Sequence, residues 1–260
     1  MQVQKPAEGY TFLKLNKYSQ VILSIIPHDW KVCTVRDITI EHKQGVYTNE
    51  SYTDDGIKLV RITDLLNPHL SYETMPSLSL DEKTIKEFRV NKGDFLIARS
   101  GAIGRFGIAN EDIPCVFGSY IIRFVFNPRI VDNNFFGFLF QTPVIKKQLL
   151  IIQQGSSNIN INAENIKSMK VALPDKIEQQ RVAYILSKVD ELIQKADQTI
   201  EQTQRLKEGL MLKLLTKGIG HTKFKKTQVG EIPEEWDIDI LGKFVKIISG
   251  EYFAYYLTQA

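Results

Sequence analysis

The sequence has little from which to build covalent or metal chemistry. It holds two cysteines, Cys33 and Cys115, far apart in the chain. Two such thiols make no disulfide framework and read as packing residues. The four histidines, His28, His42, His69 and His221, never approach one another or a cysteine at a ligand spacing, so no metal site is expected. No apolar run approaches the roughly 18 residues of a membrane-spanning helix. The run VILSII at residues 21–26 is too short, and lacks the cleavage site of a signal peptide. A cytoplasmic chain without membrane contact is therefore the expectation. Charge of one sign is scarce too: the formal net charge is +3, which neither demands nor excludes nucleic acid.

Catalytic motifs are also missing. There is no GxSxG, no recognisable Ser/His/Asp setting and no carboxylate pair that spacing singles out. An amino-methyltransferase should show Asn/Asp-Pro-Pro-aromatic, and the nearest stretches, Asn67-Pro68-His69-Leu70 and Asn127-Pro128-Arg129-Ile130, do not match. The glycine-rich Gly101-Ala-Ile-Gly104-Arg-Phe-Gly107 fits neither GxGxxG nor GxxxxGK[ST], and no helical run follows it. It reads as a tight turn that presents Arg99, Ser100 and Arg105.

What the chain does have is a rod. Residues 174–217 contain one internal glycine, Gly209, and after Pro174 no proline. Val182, Ile185, Val189, Leu192, Ala196, Thr199, Thr203, Leu206 and Leu210 alternate in steps of three and four, which is a heptad seam. At about 1.5 Å per residue the helix would be on the order of 60 Å long. Its pattern predicts pairing with another helix, the alternative being a long core helix of a bundle. Ala196, Thr199 and Thr203 thin the middle of the seam.

Ahead of the rod the pattern is mixed α+β. Residues 57–62 and 120–126 alternate as strands, residues 95–99 form a strand after a turn, and residues 169–173 form a last strand running into the rod. Residues 81–88 read as a short helix with Asp81 as cap, and residues 133–150 as a helix pair broken near Pro143. Phe135, Phe136, Phe138 and Phe140 read as core. The lead-in, residues 1–25, reads as a short helix or extended arm. An internal repeat brackets the whole: Ile26-Pro27-His28-Asp29-Trp30 returns as Ile232-Pro233-Glu234-Glu235-Trp236, with matching apolar positions after each. The resulting division is an arm at 1–25, a globular domain at 26–173, the helix at 174–217 and the start of a second repeat at 218–260.

Charge is nearly balanced in every segment except residues 117–172. There Arg123, Arg129, Lys146, Lys147, Lys167 and Lys170 face only Asp132 and Glu164, an excess suited to phosphates or simply a solvated face. Three polar stretches could contact nucleic acid: the turn with Arg99, Ser100 and Arg105; the run Gln154, Ser156, Ser157, Asn158 and Asn160; and the loop Lys43, Gln44 and Tyr47. Arg61, at the end of a strand, joins them. For the amide-rich run, backbone turns that satisfy their own hydrogen bonds are the competing reading.

Four pieces in order resemble one family. They are Ile26-Pro27-x-x-Trp30, then Gly93-Asp94-Phe95-Leu96-Ile97-Ala98-Arg99-Ser100-Gly101-Ala102-Ile103-Gly104, then Gly155-Ser156-Ser157 with Asn160, then Leu173-Pro174 with Glu178-Gln179-Gln180-Arg181. Together, over about residues 26–245, they resemble the specificity subunits of type I restriction-modification systems. The resemblance implies a non-catalytic chain whose target-recognition domain reads one half of a bipartite double-stranded DNA sequence, followed by a spacer helix. It implies no cofactor in this chain: S-adenosylmethionine is expected on partner methylation subunits, with ATP-driven restriction subunits in the full complex. A full subunit of that family carries two recognition domains and two antiparallel helices. Here the second unit begins near Ile232 and the sequence ends at Ala260, so a half-length subunit and a homodimer through antiparallel helices are expected. The rival readings are a coiled-coil protein-interaction module and, behind it, an autonomous methyltransferase.

Overall fold

The structure, a computed structural model, describes residues 8–17, 20–154 and 160–245. In chain order it holds strands β1 (Tyr10–Lys17), β2 (Gln20–Pro27) and β3 (Lys31–Thr34), the single turn α1 (Val35–Ile38), β4 (Thr39–Gln44), β5 (Ile57–Val60) and β6 (Ser77–Leu78). Helix α2 (Glu82–Phe88) leads to β7 (Phe95–Ala98), β8 (Phe106–Ile108), β9 (Cys115–Phe117) and β10 (Ile121–Phe126). Then come α3 (Asn133–Phe140), α4 (Pro143–Gln154), α5 (Ala163–Lys167), β11 (Lys170–Leu173), the 42-residue α6 (Lys176–Lys217), β12 (Phe224–Thr227) and β13 (Gly230–Pro233). The chain divides between Asp190 and Glu191 into two compact units.

In the first unit β4, β10, β7 and β8 form an antiparallel sheet in that order. All four residues of β7 are buried, because its alternating side chains feed two cores. Phe95 and Ile97 enter a core with Phe106, Phe124, Phe126 and the inner faces of α3 and α4. Leu96 and Ala98 enter another with Val60, Leu65, Phe117 and Ile121, on the side of the three-stranded sheet β6-β5-β9. Phe95 stacks on Phe106 at 5.0 Å between centroids, and Phe136 lies 4.6 Å from Phe126. The phenylalanines of α3 are thus core, with Phe138 half-buried. Cys115 is buried in the second core, where desolvation pushes its thiol up to about 11; Cys33 is half-buried.

Asp81 caps α2 by accepting the Thr84 N–H at 2.9 Å, and the α3–α4 pair breaks before Pro143. Of the two forms expected for the lead-in, the extended one is found and the helix is not: β1 and β2 pair antiparallel as a hairpin, Tyr10 opposite Pro27. The β-branched run Val21, Ile22, Ile25 and Ile26 favours that strand.

Helix α6 begins in the first unit with a built anchor. Asp175 accepts the Glu178 N–H at 2.8 Å as an N-cap. Gln179, fully buried, accepts from the Asp132 N–H at 2.9 Å and donates to the carbonyls of Ile130 at 3.0 Å and Pro174 at 2.9 Å. The Trp30 indole N–H donates to Glu178 at 3.3 Å while its ring meets Phe135 edge-on, and Lys176 donates to the Val131 carbonyl at 2.7 Å.

In the second unit α6 ends at Gly218, whose φ of 66° suits the left-handed residue that closes a helix and whose N–H meets the Leu214 carbonyl at 3.0 Å. The hairpin β12–β13 follows. Its geometry repeats that of β1–β2: Phe224 lies opposite Pro233 as Tyr10 lies opposite Pro27. The Glu234 N–H meets the Lys223 carbonyl as the His28 N–H meets that of Gly9, and the backbone N–H of each tryptophan returns to its proline carbonyl. The sequence repeat is therefore a structural repeat.

Candidate nucleic-acid interface

The hairpin between β7 and β8 organises one edge of the first unit. Gly101 and Gly104 have φ of 69° and 89°, conformations that glycine adopts without strain, and let the chain reverse between antiparallel strands. The glycine stretch is a turn, as its spacing predicted, and not a phosphate cradle. Its backbone is fastened on both sides. The Arg99 N–H donates to the Tyr120 carbonyl at 2.9 Å, and the Ile161 N–H donates to the Arg99 carbonyl at 2.8 Å. Ser100 and Asn160 face each other in a bridge. Two polar stretches that lie far apart in sequence thus meet at this turn.

Beside the hairpin lies a cavity of about 760 Å³. Tyr47, Tyr52 and Tyr120 rim it with 78%, 61% and 62% of their surface exposed, while Val46, Leu59, Leu78 and Ile121 form its apolar floor. Arg61 stands at its edge in a fixed pose. Its Nε and Nη2 donate to the two carboxylate oxygens of fully buried Asp64 at 3.1 and 3.0 Å, and Nη2 also reaches the Thr74 carbonyl at 2.7 Å. Hydrogen bonding to Asp64 raises the guanidinium pKa further, with a smaller contribution from Tyr52. A rigid cation among aromatic rings and hydroxyls can meet phosphate oxygens or base edges at low ordering cost.

On the other flank of the hairpin is a second groove of about 470 Å³, lined by Ile103, Arg105, Gln141, Lys146 and Gln153. Arg105 is exposed there, so it stands apart from the tyrosine cavity. Gln154 ends α4; Ser156, Ser157 and Asn158 lie outside the described residues. Gln44 is exposed at the end of β4. Lys43 is engaged elsewhere, ion-paired with Glu87 at 2.8 Å and lying 4.7 Å above the Phe88 ring.

The basic excess of residues 117–172 divides on inspection. Arg123 is buried, donating to the Arg89 carbonyl at 2.7 Å and pairing with Glu41 and Asp94, the latter carboxyl pushed upward by burial. Lys167 pairs with Glu164 at 2.6 Å. Arg129, Lys146, Lys147 and Lys170 remain exposed. Sequence reasoning missed Tyr120, although Gly118-Ser119-Tyr120 before a strand is a turn signal, and it missed the clamp on Arg61, although Asp64 follows at i+3.

The heptad seam of α6 is uncovered over most of its length. Ile185, Val189, Leu192, Ala196, Thr199, Thr203, Leu206 and Leu210 are all exposed, and only Val182, packed against the first core, is half-buried.

An α+β domain continuous with a 42-residue helix whose apolar seam is exposed defines the class of fold. The chain belongs to the family described as Type I restriction modification DNA specificity domain, whose pattern matches residues 27–202. It is 29% identical over 263 residues to the type I restriction enzyme MjaVIII specificity subunit of Methanocaldococcus jannaschii, covering 94% of this chain and 56% of that protein. It is 24% identical to the type I restriction enzyme EcoBI specificity subunit of Escherichia coli, covering 73% and 42%. The chain thus spans about half the length of these relatives. Its fold is shared with a chain from a solved structure of a type I R-M system, at a TM-score of 0.51 and 14% identity over 72% of this chain and 46% of that one.

Proposed function

We propose that the first unit reads one half of a bipartite double-stranded DNA target and that α6 brings two copies together as an antiparallel homodimer, on which methylation subunits and, in the full complex, restriction subunits assemble. The chain supplies recognition and no catalysis; S-adenosylmethionine binds to the methylation subunits. The observation that carries this reading is the convergence of Arg99, Ser100, Asn160, Arg61 and three exposed tyrosines on one edge. Membership of a DNA specificity family supports it.

The test is selection from a random duplex library at several salt concentrations, with and without a methylation subunit. Sequence enrichment is expected, with affinity falling as salt rises. Binding without enrichment under both conditions would sink the reading in favour of an interaction module. Within the enriched site, Arg105→Ala should weaken all sequences about alike if Arg105 holds phosphate, whereas loss of a base contact relaxes preference at one position and costs roughly 1–3 kcal/mol.

A further inference from the structure

Arg61 is held at the edge of the tyrosine cavity by a clamp that decides which of its donors remain for a ligand. A guanidinium has five N–H donors. Nε donates to Asp64 Oδ2 at 3.1 Å, and Nη2 commits both its hydrogens, one to Asp64 Oδ1 at 3.0 Å and one to the Thr74 carbonyl at 2.7 Å. Nη1 is then the one nitrogen outside the clamp. The clamp itself is saturated: Oδ2 also takes the Arg61 backbone N–H at 2.8 Å and Oδ1 the Thr74 hydroxyl at 3.0 Å, which fills the roughly four acceptor sites of the carboxylate. Its loop is tied by the Asp64 N–H on the Arg61 carbonyl at 3.0 Å and the Ser71 N–H on the Asp64 carbonyl at 2.9 Å. The Asp64 side chain is 1% exposed and that of Arg61 34%, so the carboxylate is closed to a ligand and the guanidinium is the part that meets the cavity.

An arginine ordinarily reads guanine at two points, with one N–H on O6 and another on N7. Each edge of a guanidinium that offers two neighbouring nitrogens, Nε with Nη2 or Nη1 with Nη2, includes Nη2, and both Nη2 hydrogens are already committed here. Phosphate oxygens accept from many directions and need no such fixing, whereas a base edge presents its acceptors in one direction. Resting on the DNA-reading function proposed above, we propose that Arg61 reads one base pair through Nη1 alone, as a single donor to the N7 of a purine, and that Asp64 is the positioning residue that holds it to that role. The consequence is a degenerate position. Adenine and guanine share N7 and differ beside it, where adenine has an amino donor and guanine a carbonyl acceptor. A two-point arginine sets its second N–H against the adenine amino group and rejects it; a one-point donor meets no such conflict. A pyrimidine has no N7 to offer and is refused.

Base analogues test the single donor on the whole chain with its methylation subunit. Each purine of the half-site enriched from the duplex library is replaced in turn by the other purine, by its 7-deaza analogue, and by 2-aminopurine, which keeps N7 and carries no group at C6. At one position adenine, guanine and 2-aminopurine should bind within about twofold of one another, and either 7-deaza analogue at least about fivefold more weakly. Arg61→Lys should remove the N7 dependence there and nowhere else. Asp64→Asn sets an amide N–H where Oδ1 accepts and releases one Nη2 hydrogen, so guanine should gain on adenine about tenfold at that position with preferences elsewhere unchanged. A strict guanine preference in the parent, lost on removal of O6 as well as N7 and lost again in Arg61→Lys, would overturn the proposal in favour of two-point reading. Uniform weakening of all sequences by Arg61→Lys would make Arg61 a phosphate contact, and by Asp64→Asn would reduce Asp64 to a support of the fold. Because an unclamped arginine binds guanine at two points, indifference of the parent to O6 itself tests the clamp, whether or not Asp64→Asn folds. A library without enrichment defeats the DNA-reading function as a whole, whereas enrichment with no N7-dependent purine altered by Arg61→Lys defeats the single-donor reading alone.

Discussion

Arg61 and Tyr47 entered as equal candidates for DNA contact, and their surroundings make them unequal probes. Arg61 satisfies a fully buried carboxylate, so Arg61→Ala leaves Asp64 with unmet acceptor capacity and should lower stability by about 2–3 kcal/mol, read from urea denaturation. Its effect on DNA binding will mix with partial unfolding. Tyr47 is mostly exposed, so Tyr47→Ala should change stability by less than about 0.5 kcal/mol. A loss of DNA affinity in that variant reports contact directly, and unchanged affinity would remove Tyr47 from the interface. Gln179 teaches the converse. In the sequence Glu178-Gln179-Gln180-Arg181 looked like a family signature; in the fold Gln179 is a buried amide with three hydrogen bonds that seats α6 on its domain. Gln179→Leu should cost about 2–4 kcal/mol by stranding two carbonyls and one N–H, with no direct effect on DNA contacts. If equilibrium unfolding of Gln179→Leu matches the parent, the anchor is not what holds the helix. Burial of this kind is a tertiary fact, which a local pattern of polar residues does not reveal.

Elements with one repeating physical cause were legible before the fold was seen. The steps of three and four in residues 182–210 located α6 because a single face repeats along it, and Pro174 and Gly218 bracket it by what proline and glycine do to helix ends. Residues 95–98 read as a strand because an unbroken apolar run suits a strand buried on both faces, which is what two cores around β7 require. The lead-in stays open between helix and extended arm in the sequence because Val21–Ile26 lacks strict alternation and its partner, Tyr10–Lys17, carries three lysine or asparagine side chains that mask a strand; only pairing tells. The site was less legible than the fold, since Tyr120, Arg99 and Asn160 meet through backbone bonds between separate loops. Within α6, Gly209 is the one glycine and the residue of lowest helix propensity, and a methyl group there would meet nothing within 4 Å. Gly209→Ala should therefore stabilise α6 by about 0.5–1 kcal/mol, raising the melting midpoint of its helical signal in circular dichroism. A lower midpoint would mean that another chain approaches the helix at that residue.

At the scale of the whole molecule the two repeats are built alike and completed differently. Both have a hairpin ending in a buried isoleucine and a proline, then a tryptophan folded back on that proline. In the first copy the chain continues into β3, which pairs with β11, and Val35 and Ile38 drop into the core with 0% and 1% of their surface exposed. Their counterparts in the second copy, Leu241 and Phe244, are each 72% exposed, and residues 237–240, in the place of β3, pair with no strand among the described residues. Local sequence thus suffices for the hairpin and the tryptophan turn, whose bonds are short-range, while the strand needs a distant partner, which among the described residues the first copy has in β11. Amide hydrogen exchange on the 260-residue chain should separate these two kinds of order. Residues 31–38 should exchange only by opening of the first unit, residues 224–233 at an intermediate rate set by a lone two-stranded hairpin, and residues 237–245 at close to the rate of an open chain. Protection of residues 237–245 equal to that of residues 31–38 would show that the second copy finds its missing strand in another molecule, and adding protein should then deepen that protection with concentration.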